Sequence, residues 1–377
     1  MSKILIAGDF CQKYRVDNIV KERRFGELFD EVKPIIEAAD YSIVNFEFPI
    51  ISDKHRVRPI PKCGPNLQGT LEAVEAIQYA GFKCCTLANN HILDQGEQCC
   101  IDTKDALEKA GVDTVGVGCN LNEAGITLYK EIKGETIAII NCCEHEFSIA
   151  TDVSAGANPL NPIRQYYAIQ EAKKKADYVV VIVHGGHEHF QLPSPRMQET
   201  YRFLIDAGAD AVVNHHQHCY SGYEEYHGKP IFYGLGNFCF DNPQQRHSIW
   251  NEGYVVKLSF DKKTVGYELI PYKQCNDKPT VELLDDRAAF DKRIAELNSI
   301  IQDSAELKKC VEEYYGSTAA GLLLMHQPYE NRILKKLYRM HLLPSLVSKS
   351  RYLQILNYVY CESHHDKHIF ALKQLFR

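Results

Sequence analysis

The sequence contains no long hydrophobic run. Its N-terminus, MSKILIAGDF, carries one lysine and then only four consecutive apolar residues, Ile4–Ala7. A signal peptide needs an apolar region of about 7–15 residues, and a membrane-spanning helix needs about 20. No other stretch approaches the length of a span. We therefore expect a cytoplasmic protein without a targeting or membrane-spanning segment.

The sequence also lacks an excess of positive charge and the Cys-x-x-Cys spacing of zinc ribbons. Its 43 lysine and arginine residues are outnumbered by 49 aspartate and glutamate residues, and the net charge is −6. This balance is not that of a nucleic-acid-binding protein, so we expect no nucleic-acid partner. The 14 cysteines fit a reducing cytoplasm, where most of them would be small core residues.

The most informative stretch is LANNHILDQG, residues 87–96, which follows an apolar run. Asn90 offers a neutral oxygen ligand, His91 can bind a metal or carry a proton, and Asp94 can orient that histidine. An alternative interpretation is a turn that leads into a helix beginning near Gln95. By itself this stretch leaves the two interpretations evenly balanced.

The same pattern, an apolar strand followed by polar side chains, occurs at five other places. In sheets with helical crossovers, ligands gather beyond the carboxyl ends of the strands. Each histidine alone would be interpreted as a hydrogen-bonded core residue, but six such strand ends together predict a metal site. Carboxylates and imidazoles favour Mn, Fe or Zn over calcium. Besides Asn90 and His91, the strand-end residues are Asp9, Glu47, His184, His216 with His218, and Asn237.

Individual strand ends leave some choices open. Asp9 could simply cap a helix. Glu47 lies between two phenylalanines, where a carboxylate is costly to bury without a cation. His216 and His218 are two residues apart, so in an extended backbone they point the same way and can serve one cluster. The loop 52–68 has a basic edge that is either solvated or steers anions; its basic residues are Lys54, His55, Arg56, Arg58 and Lys62.

Taken together, these motifs resemble the CapA (poly-γ-glutamate capsule synthesis) family, a bacterial branch of the calcineurin-like metallophosphoesterase superfamily. The resemblance covers about residues 1–275, and the motifs occur in the family's order. The matching pieces are Gly8-Asp9, Asn45-Phe46-Glu47-Phe48-Pro49, Ala88-Asn89-Asn90-His91 with Asp94 and Gly96, His184-Gly185-Gly186-His187-Glu188, His216-Gln217-His218, and Gly234-Leu235-Gly236-Asn237-Phe238 with Asp241.

The resemblance implies a four-layer α/β/β/α sandwich that holds two divalent metal ions. Asp9 and His218 would bind the first metal, and Glu47 would bridge the two. The second metal would be held by Asn90, His184 and His216. By the same resemblance, His91 would be the general acid and Asp94 would orient it. Two metals about 4 Å apart could activate a hydroxide for attack on phosphorus.

The chain departs from the superfamily at its first motif. Cys11 stands where the superfamily has a histidine, so Cys11 either ligates as a thiolate or leaves a weaker or absent first metal site. We expect a further set of residues to support the ligands or contact substrate; besides Cys11 these are Asn89, His187, Glu188 and Asn237.

The resemblance implies a metal-dependent phosphoesterase-like hydrolase in capsule or cell-surface polymer biosynthesis, acting on an anionic phosphorylated or polymeric substrate. Two alternatives stay open. One is a non-catalytic accessory or binding subunit of poly-γ-glutamate or polysaccharide synthesis or export, and the other is a nucleotide phosphodiesterase. Hydrolysis of a generic phosphodiester would distinguish catalysis from binding.

The family match ends before the C-terminal region. We predict a CapA-like domain over residues 1–280 and a helical extension over 281–377. From Arg332 onward, nine basic residues face two acidic ones, a net charge of +7, and leucines and aromatics lie between them. Such a segment can rest on an anionic membrane, here at its inner face, or its leucines can pack on the acidic remainder of the chain. The sequence leaves the oligomeric state open.

Overall fold

The computed structural model describes residues 1–51 and 59–376. The chain divides into two compact units, Met1–Leu307 and the residues from Lys308 onward. The first unit contains two large β-sheets, and the second is helical. The first unit continues past the predicted boundary at residue 280, so it includes one more strand and one more helix.

Sixteen strands are found in the described residues. In chain order they are β1 (Ser2–Cys11), β2 (Tyr41–Phe46), β3 (Cys84–Thr86), β4 (Asp113–Val115), β5 (Val117–Gly118), β6 (Leu128–Ile132), β7 (Glu135–Cys143), β8 (Gly156–Ala157), β9 (Tyr178–His184), β10 (Ala211–His215), β11 (Tyr223–Tyr226), β12 (Lys229–Phe232), β13 (Asn237–Phe240), β14 (Glu252–Asp261), β15 (Thr264–Gln274) and β16 (Val281–Leu283).

Thirteen α-helices lie within the described ranges 1–51 and 59–376. They are α1 (Arg15–Lys21), α2 (Gly26–Phe29), α3 (Lys33–Glu37), α4 (Glu72–Ala80), α5 (Glu97–Lys109), α6 (Leu121–Ala124), α7 (Pro162–Ala172), α8 (Pro195–Asp206), α9 (Ala288–Gln302), α10 (Ser304–Met325), α11 (Arg332–Arg339), α12 (Lys349–Tyr360) and α13 (Glu362–Lys373); Ile249–Asn251 and Gln374–Phe376 are 3₁₀ turns.

The two large sheets are each mostly parallel at the centre. The first has the order β16-β15-β14-β1-β2-β3-β4, and β13 also pairs with β1. The second has the order β11-β12-β10-β9-β7-β6, with antiparallel strands at both edges. Strand β9, with the sequence YVVVIVH, is buried along its whole length because it lies between parallel neighbours and is covered on both faces.

The two sheets pack against each other, and helices cover their outer faces. Between the sheets, the Ser2 hydroxyl donates to the Ile132 carbonyl (2.8 Å), and the rings of Tyr178 and Phe260 are 4.8 Å apart. Helices α1 to α5 share a hydrophobic core with the first sheet, and α7 and α8 pack on the second. The predicted four-layer α/β/β/α sandwich with a helical C-terminal extension is confirmed.

One close backbone approach positions the site. The Gly8 α-carbon lies so near β13 that an added Cβ would stand 1.9 Å from the Gly236 carbonyl oxygen. The Asp9 N–H donates to the same carbonyl at 3.3 Å. A glycine before Asp9 therefore lets the end of β1 meet the turn that enters β13.

The second unit is described by itself. Its helices α12 and α13 contact each other, and the rings of Tyr358 and His368 stack with their centroids 5.0 Å apart. Before them, the Gln327 amide donates to Ser345 Oγ and to Tyr352 OH, both at 2.7 Å. Across the described part of the whole chain, no helix combines the length and the apolar character needed to cross a membrane.

Candidate metal centre

Strand register brings several of the predicted residues to one edge of the two sheets. In the first sheet, Asp9 of β1 lies level with Asn45 of β2 and Asn237 of β13. In the second, His184 at the end of β9 lies level with His215 of β10. The carboxyl ends of parallel strands share one edge, so their polar termini converge there.

Glu47 lies at the centre of this edge. Its N–H donates to the Phe10 carbonyl (3.0 Å), which fixes the residue directly after β2. The side chain is fully buried, and neither carboxylate oxygen has a hydrogen-bond partner among the residues that the structure describes. Burial, reinforced by the Asp9 carboxylate, raises the pKa of Glu47 well above its usual range. An unpartnered buried carboxylate of this kind calls for a bound cation.

On one side of Glu47 lies the His184 group, which consists of Glu47, His184 and His216. One ligand atom from each lies within 4.8 Å of the others. His184 Nε2 is 3.1 Å from His216 Nδ1, 3.7 Å from Glu47 Oε1 and 3.0 Å from Asn90 Oδ1. Burial lowers the pKa of His184 well below 6.5, so its ring nitrogen has a lone pair available for a metal.

On the other side lies the Asp9 group, which consists of Asp9, Glu47 and His218, again within 4.8 Å. Asp9 accepts from the Asn45 side chain (2.7 Å) and from the His216 N–H (3.2 Å). Burial raises the pKa of Asp9 to about 7. The two groups share Glu47, and their oxygen and imidazole donors fit two neighbouring divalent ions.

The tautomer of His218 is set by Asn237. Asn237 Oδ1 lies 2.9 Å from His218 Nδ1, and its Nδ2 donates to the His218 and Trp250 carbonyls. The amide is thereby oriented with its oxygen toward the ring, so Nδ1 carries the proton. Nε2 remains, 3.9 Å from Glu47 Oε1, as the nitrogen available to a metal.

The prediction of an extended backbone at His216 and His218 is wrong. Both residues adopt left-handed conformations, with φ of +88° and +55°. A non-glycine residue in this region costs on the order of 1–3 kcal/mol. Both rings nevertheless reach one centre: His216 joins the His184 group and His218 joins the Asp9 group, the two groups share Glu47, and the two ring centroids are 6.1 Å apart.

His91 and Asp94 form a buried pair beside the His184 group. His91 Nδ1 lies 2.6 Å from Asp94 Oδ2, and the His91 N–H donates to Asn89 Oδ1. The Asn89 amide in turn donates to the Phe46 carbonyl at 2.9 Å. Burial lowers the pKa of His91, although the Asp94 carboxylate partly opposes this effect. Asn89 thus fixes the backbone at His91, and Asp94 fixes the orientation of the His91 ring.

The remaining predicted residues lie in different surroundings. Cys11 is buried in the hydrophobic core of the first sheet and belongs to neither metal-ligand group of the described residues. Burial and the Glu47 carboxylate raise the pKa of its thiol well above 9. His187 and Glu188 are on the loop after β9; His187 is partly exposed and Glu188 is exposed. The Glu188 carboxylate still lies close enough to contribute to the raised pKa of Glu47.

Sequence reasoning missed two residues at this site. Glu146 Oε1 lies 3.8 Å from His216 Nε2, and the Asn90 amide lies 3.4 Å from both Glu146 oxygens. Glu146 lies three residues after the end of β7, so the strand-end pattern was a signal that could have found it. Lys62, predicted on a solvated or anion-steering loop edge, is instead buried against Asp94. The other basic residues of that edge, Lys54, His55, Arg56 and Arg58, lie outside the described residues.

Comparison with known proteins identifies the family. Residues 3–242 match the family described as bacterial capsule synthesis protein PGA_cap. The chain is 31% identical to the capsule biosynthesis protein CapA of Bacillus anthracis, over 76% of this chain and 71% of that protein. It is 35% identical to the PGA biosynthesis protein CapA of Bacillus subtilis, over 70% and 69% of the two chains.

A solved structure of a hypothetical protein from Thermus thermophilus covers 72% of this chain and 99% of its own, at 14% identity and a TM-score of 0.46. The family assignment rests on the sequence matches, and the family match over residues 3–242 spans every metal-ligand motif described above. The chain belongs to the bacterial capsule synthesis protein PGA_cap family.

Proposed function

We propose that this protein is a metal-dependent hydrolase of phosphoric esters that serves capsule or cell-surface polymer biosynthesis. The observation that carries the proposal is the buried Glu47 carboxylate, which has no hydrogen-bond partner among the described residues and stands between two histidine–carboxylate groups. A purely structural core would not keep an ionisable group in this state, because burying it unpaired is costly.

The two groups divide the ligands between two ions. Asp9, Glu47 and His218 would hold one, and Glu47, Asn90, His184 and His216 the other. When bound, two such ions lower the pKa of bound water and neutralise charge on the phosphoryl oxygens. Mn, Fe or Zn suits this mixture of carboxylates and imidazoles.

The His91–Asp94 pair supports proton transfer at the leaving group. Asp94 binds His91 at Nδ1, so Nε2 is the ring nitrogen left to meet substrate. Nε2 would deliver a proton to the departing oxygen, which matches the general-acid role predicted for His91. Because the Asn89 side chain fixes the His91 backbone, the ring needs little reorganisation when substrate binds.

Hydrolysis of a bis-aryl phosphodiester tests the proposal. We expect Mn²⁺-loaded protein to hydrolyse it, and His91→Ala to lower kcat by about 10²–10⁴-fold, the usual contribution of a general acid. His227→Ala, which alters an exposed histidine next to Asp206, is the control and should keep full activity. Metal-loaded protein that hydrolyses neither this ester nor an aryl phosphate would contradict the proposal and leave the accessory-subunit interpretation.

We also propose that helix α11 contacts an anionic membrane surface. Its basic residues Arg332, Lys335, Lys336 and Arg339 have the spacing i, i+3, i+4 and i+7, which places them on one helix face. The apolar residues Ile333, Leu334 and Leu337 fall on the opposite face, and the first two are exposed. A basic face opposite an apolar one complements negatively charged lipid headgroups.

Cosedimentation with vesicles tests this contact. We expect the full chain to bind phosphatidylserine-containing vesicles at low salt, to bind phosphatidylcholine vesicles weakly, and to dissociate as salt rises. The double variant Lys335→Glu/Lys336→Glu should lose binding, whereas the control Lys104→Glu, on α5, should not. Equal binding by the double variant and the wild type would refute the proposal.

A further inference from the structure

Lys62 is a buried lysine that contacts the His91–Asp94 pair. Its side chain is 2% exposed. The ammonium nitrogen lies 2.5 Å from Asp94 Oδ1, 3.1 Å from His91 Nδ1 and 3.5 Å from the Asn90 carbonyl oxygen. An ammonium group is buried at this depth only when it is paired, and here the partner is the Asp94 carboxylate.

The hydrogen bonds around Asp94 determine which nitrogen of His91 carries a proton. Oδ1 accepts from Lys62, and Oδ2 accepts from the Leu67 N–H at 2.6 Å. His91 Nδ1 lies 2.6 Å from the same Oδ2. A carboxylate oxygen can only accept, and two acceptors would repel each other at 2.6 Å, so Nδ1 is the protonated nitrogen. The Lys62 ammonium, 3.1 Å from Nδ1, then contacts the ring without donating to it, and its hydrogen bond goes to Asp94.

The segment that carries Lys62 is itself anchored to the loop that carries His91 and Asp94. The Ile60 N–H donates to the Asp94 carbonyl at 3.1 Å, and the Gln95 amide donates to the Leu67 carbonyl at 3.0 Å. Residues 60–67 therefore fold around Asp94 and hold Lys62 at a fixed place. Lys62 occupies one carboxylate oxygen and leaves the other for His91.

We propose that Lys62 is a positioning residue: by fixing the Asp94 carboxylate, it holds the His91 ring with Nδ1 as donor to Asp94 and Nε2 as the atom available to substrate. The catalytic consequence rests on the proposed function, whereas the ring geometry does not. Lys62 itself does not reach substrate, because its ammonium group is enclosed by Asp94, His91 and the Asn90 carbonyl.

The experiment compares the full-length wild type with Lys62→Met, Lys62→Arg and the surface control Lys104→Met, using ¹⁵N-histidine NMR. His91→Gln identifies the His91 signal by its loss. In the wild type we expect a downfield Nδ1–H resonance that exchanges slowly with water. Lys62→Met should speed that exchange by about tenfold or more, since it removes a charge-assisted hydrogen bond. Lys62→Arg and Lys104→Met should retain slow exchange.

Kinetics give the second readout. With Mn²⁺ and the phosphodiester, Lys62→Met should lower kcat by about 10–100-fold, the scale seen when a supporting hydrogen-bond partner is lost, with little change in KM. Unchanged exchange at Nδ1–H in Lys62→Met would overturn the inference, whatever the activity. Accelerated Nδ1–H exchange in Lys62→Met, together with a wild type that does not hydrolyse the phosphodiester, would support the inference and contradict the proposed function. If Lys62→Met does not fold, the uncharged Lys62→Gln is measured in its place, with the same criteria.

Discussion

Replacing Glu47 with glutamine should stabilise the metal-free protein and abolish metal binding. Glu47 and Asp9 are fully buried carboxylates side by side, and ionising both without a cation is unfavourable. Burial raises the pKa of Asp9 from 3.8 to about 7. The pKa of Asp9 is higher in the folded state than in the unfolded state. Its contribution to the free energy of unfolding is therefore fully present below pH 3.8 and is lost as the pH rises through about 7. The raised pKa of Glu47 acts in the same direction.

The size of the effect follows from the cost of burying Glu47. An ionised carboxylate buried without a partner costs on the order of several kcal/mol, and Glu47→Gln removes this cost. The raised pKa of Asp9 comes from its own burial and is kept in the variant. Glutamine at position 47 removes one charge but keeps a buried amide, whose unmet hydrogen bonds cost about 1–3 kcal/mol. We therefore expect metal-free Glu47→Gln to be more stable than wild type by roughly 2 kcal/mol at pH 8, the difference between the cost of the buried charge and that of the buried amide. At pH 4 the advantage should disappear.

Urea unfolding of chelator-treated proteins at pH 4 and pH 8 measures this difference. Adding Mn²⁺ at 100 times its Kd should stabilise the wild type by about 2.7 kcal/mol and leave Glu47→Gln unchanged. Glu22→Gln, which alters a surface carboxylate paired with Arg24, is the matched control and should behave as wild type. Metal-free Glu47→Gln that is less stable than wild type at pH 8, or that Mn²⁺ stabilises, would contradict this prediction.

Three further predictions concern neighbouring residues. Cys11→Ala should leave the metal content of the protein unchanged, because the thiol is buried in apolar surroundings. A loss of about one metal equivalent per chain, measured by elemental analysis, would show that Cys11 ligates. Asn237→Leu should weaken metal binding about 10–100-fold by titration calorimetry, since His218 loses its orienting partner; unchanged affinity would contradict that role. Gly8→Ala should destabilise the protein by more than about 2 kcal/mol in urea, because its Cβ would clash with Gly236, and equal stability would refute the close approach.

The strand-end pattern was enough to predict that several polar residues would meet. Asp9, Glu47, Asn90 and His184 each follow an apolar strand, and in the structure they surround one point. These side chains converge because parallel strands end at the same edge and because a buried polar residue needs a partner. Cys11 showed the limit of the pattern: the sequence could not decide between ligand and core residue, since both are compatible with the end of a strand.

Lys62 could not be predicted from its neighbours in sequence. It lies in a stretch rich in Pro, Lys and Arg that is typical of a solvated loop. Its burial depends on a contact with Asp94, 32 positions away, that local composition does not encode. The backbone at His216 and His218 was missed for a related reason, since left-handed conformations of non-glycine residues arise where tertiary contacts over-determine them.

Metal stoichiometry tests the central claim most directly. Purified protein should be stripped, equilibrated with Mn²⁺ or Zn²⁺, freed of excess ion and analysed by elemental mass spectrometry. We predict about two equivalents per chain, as in known two-metal sites. Variants that alter one ligand group, such as His216→Ala or His218→Ala, should fall toward one equivalent while keeping the wild-type circular dichroism spectrum. Wild-type protein that retains no metal, or variants that retain as much as wild type, would contradict it.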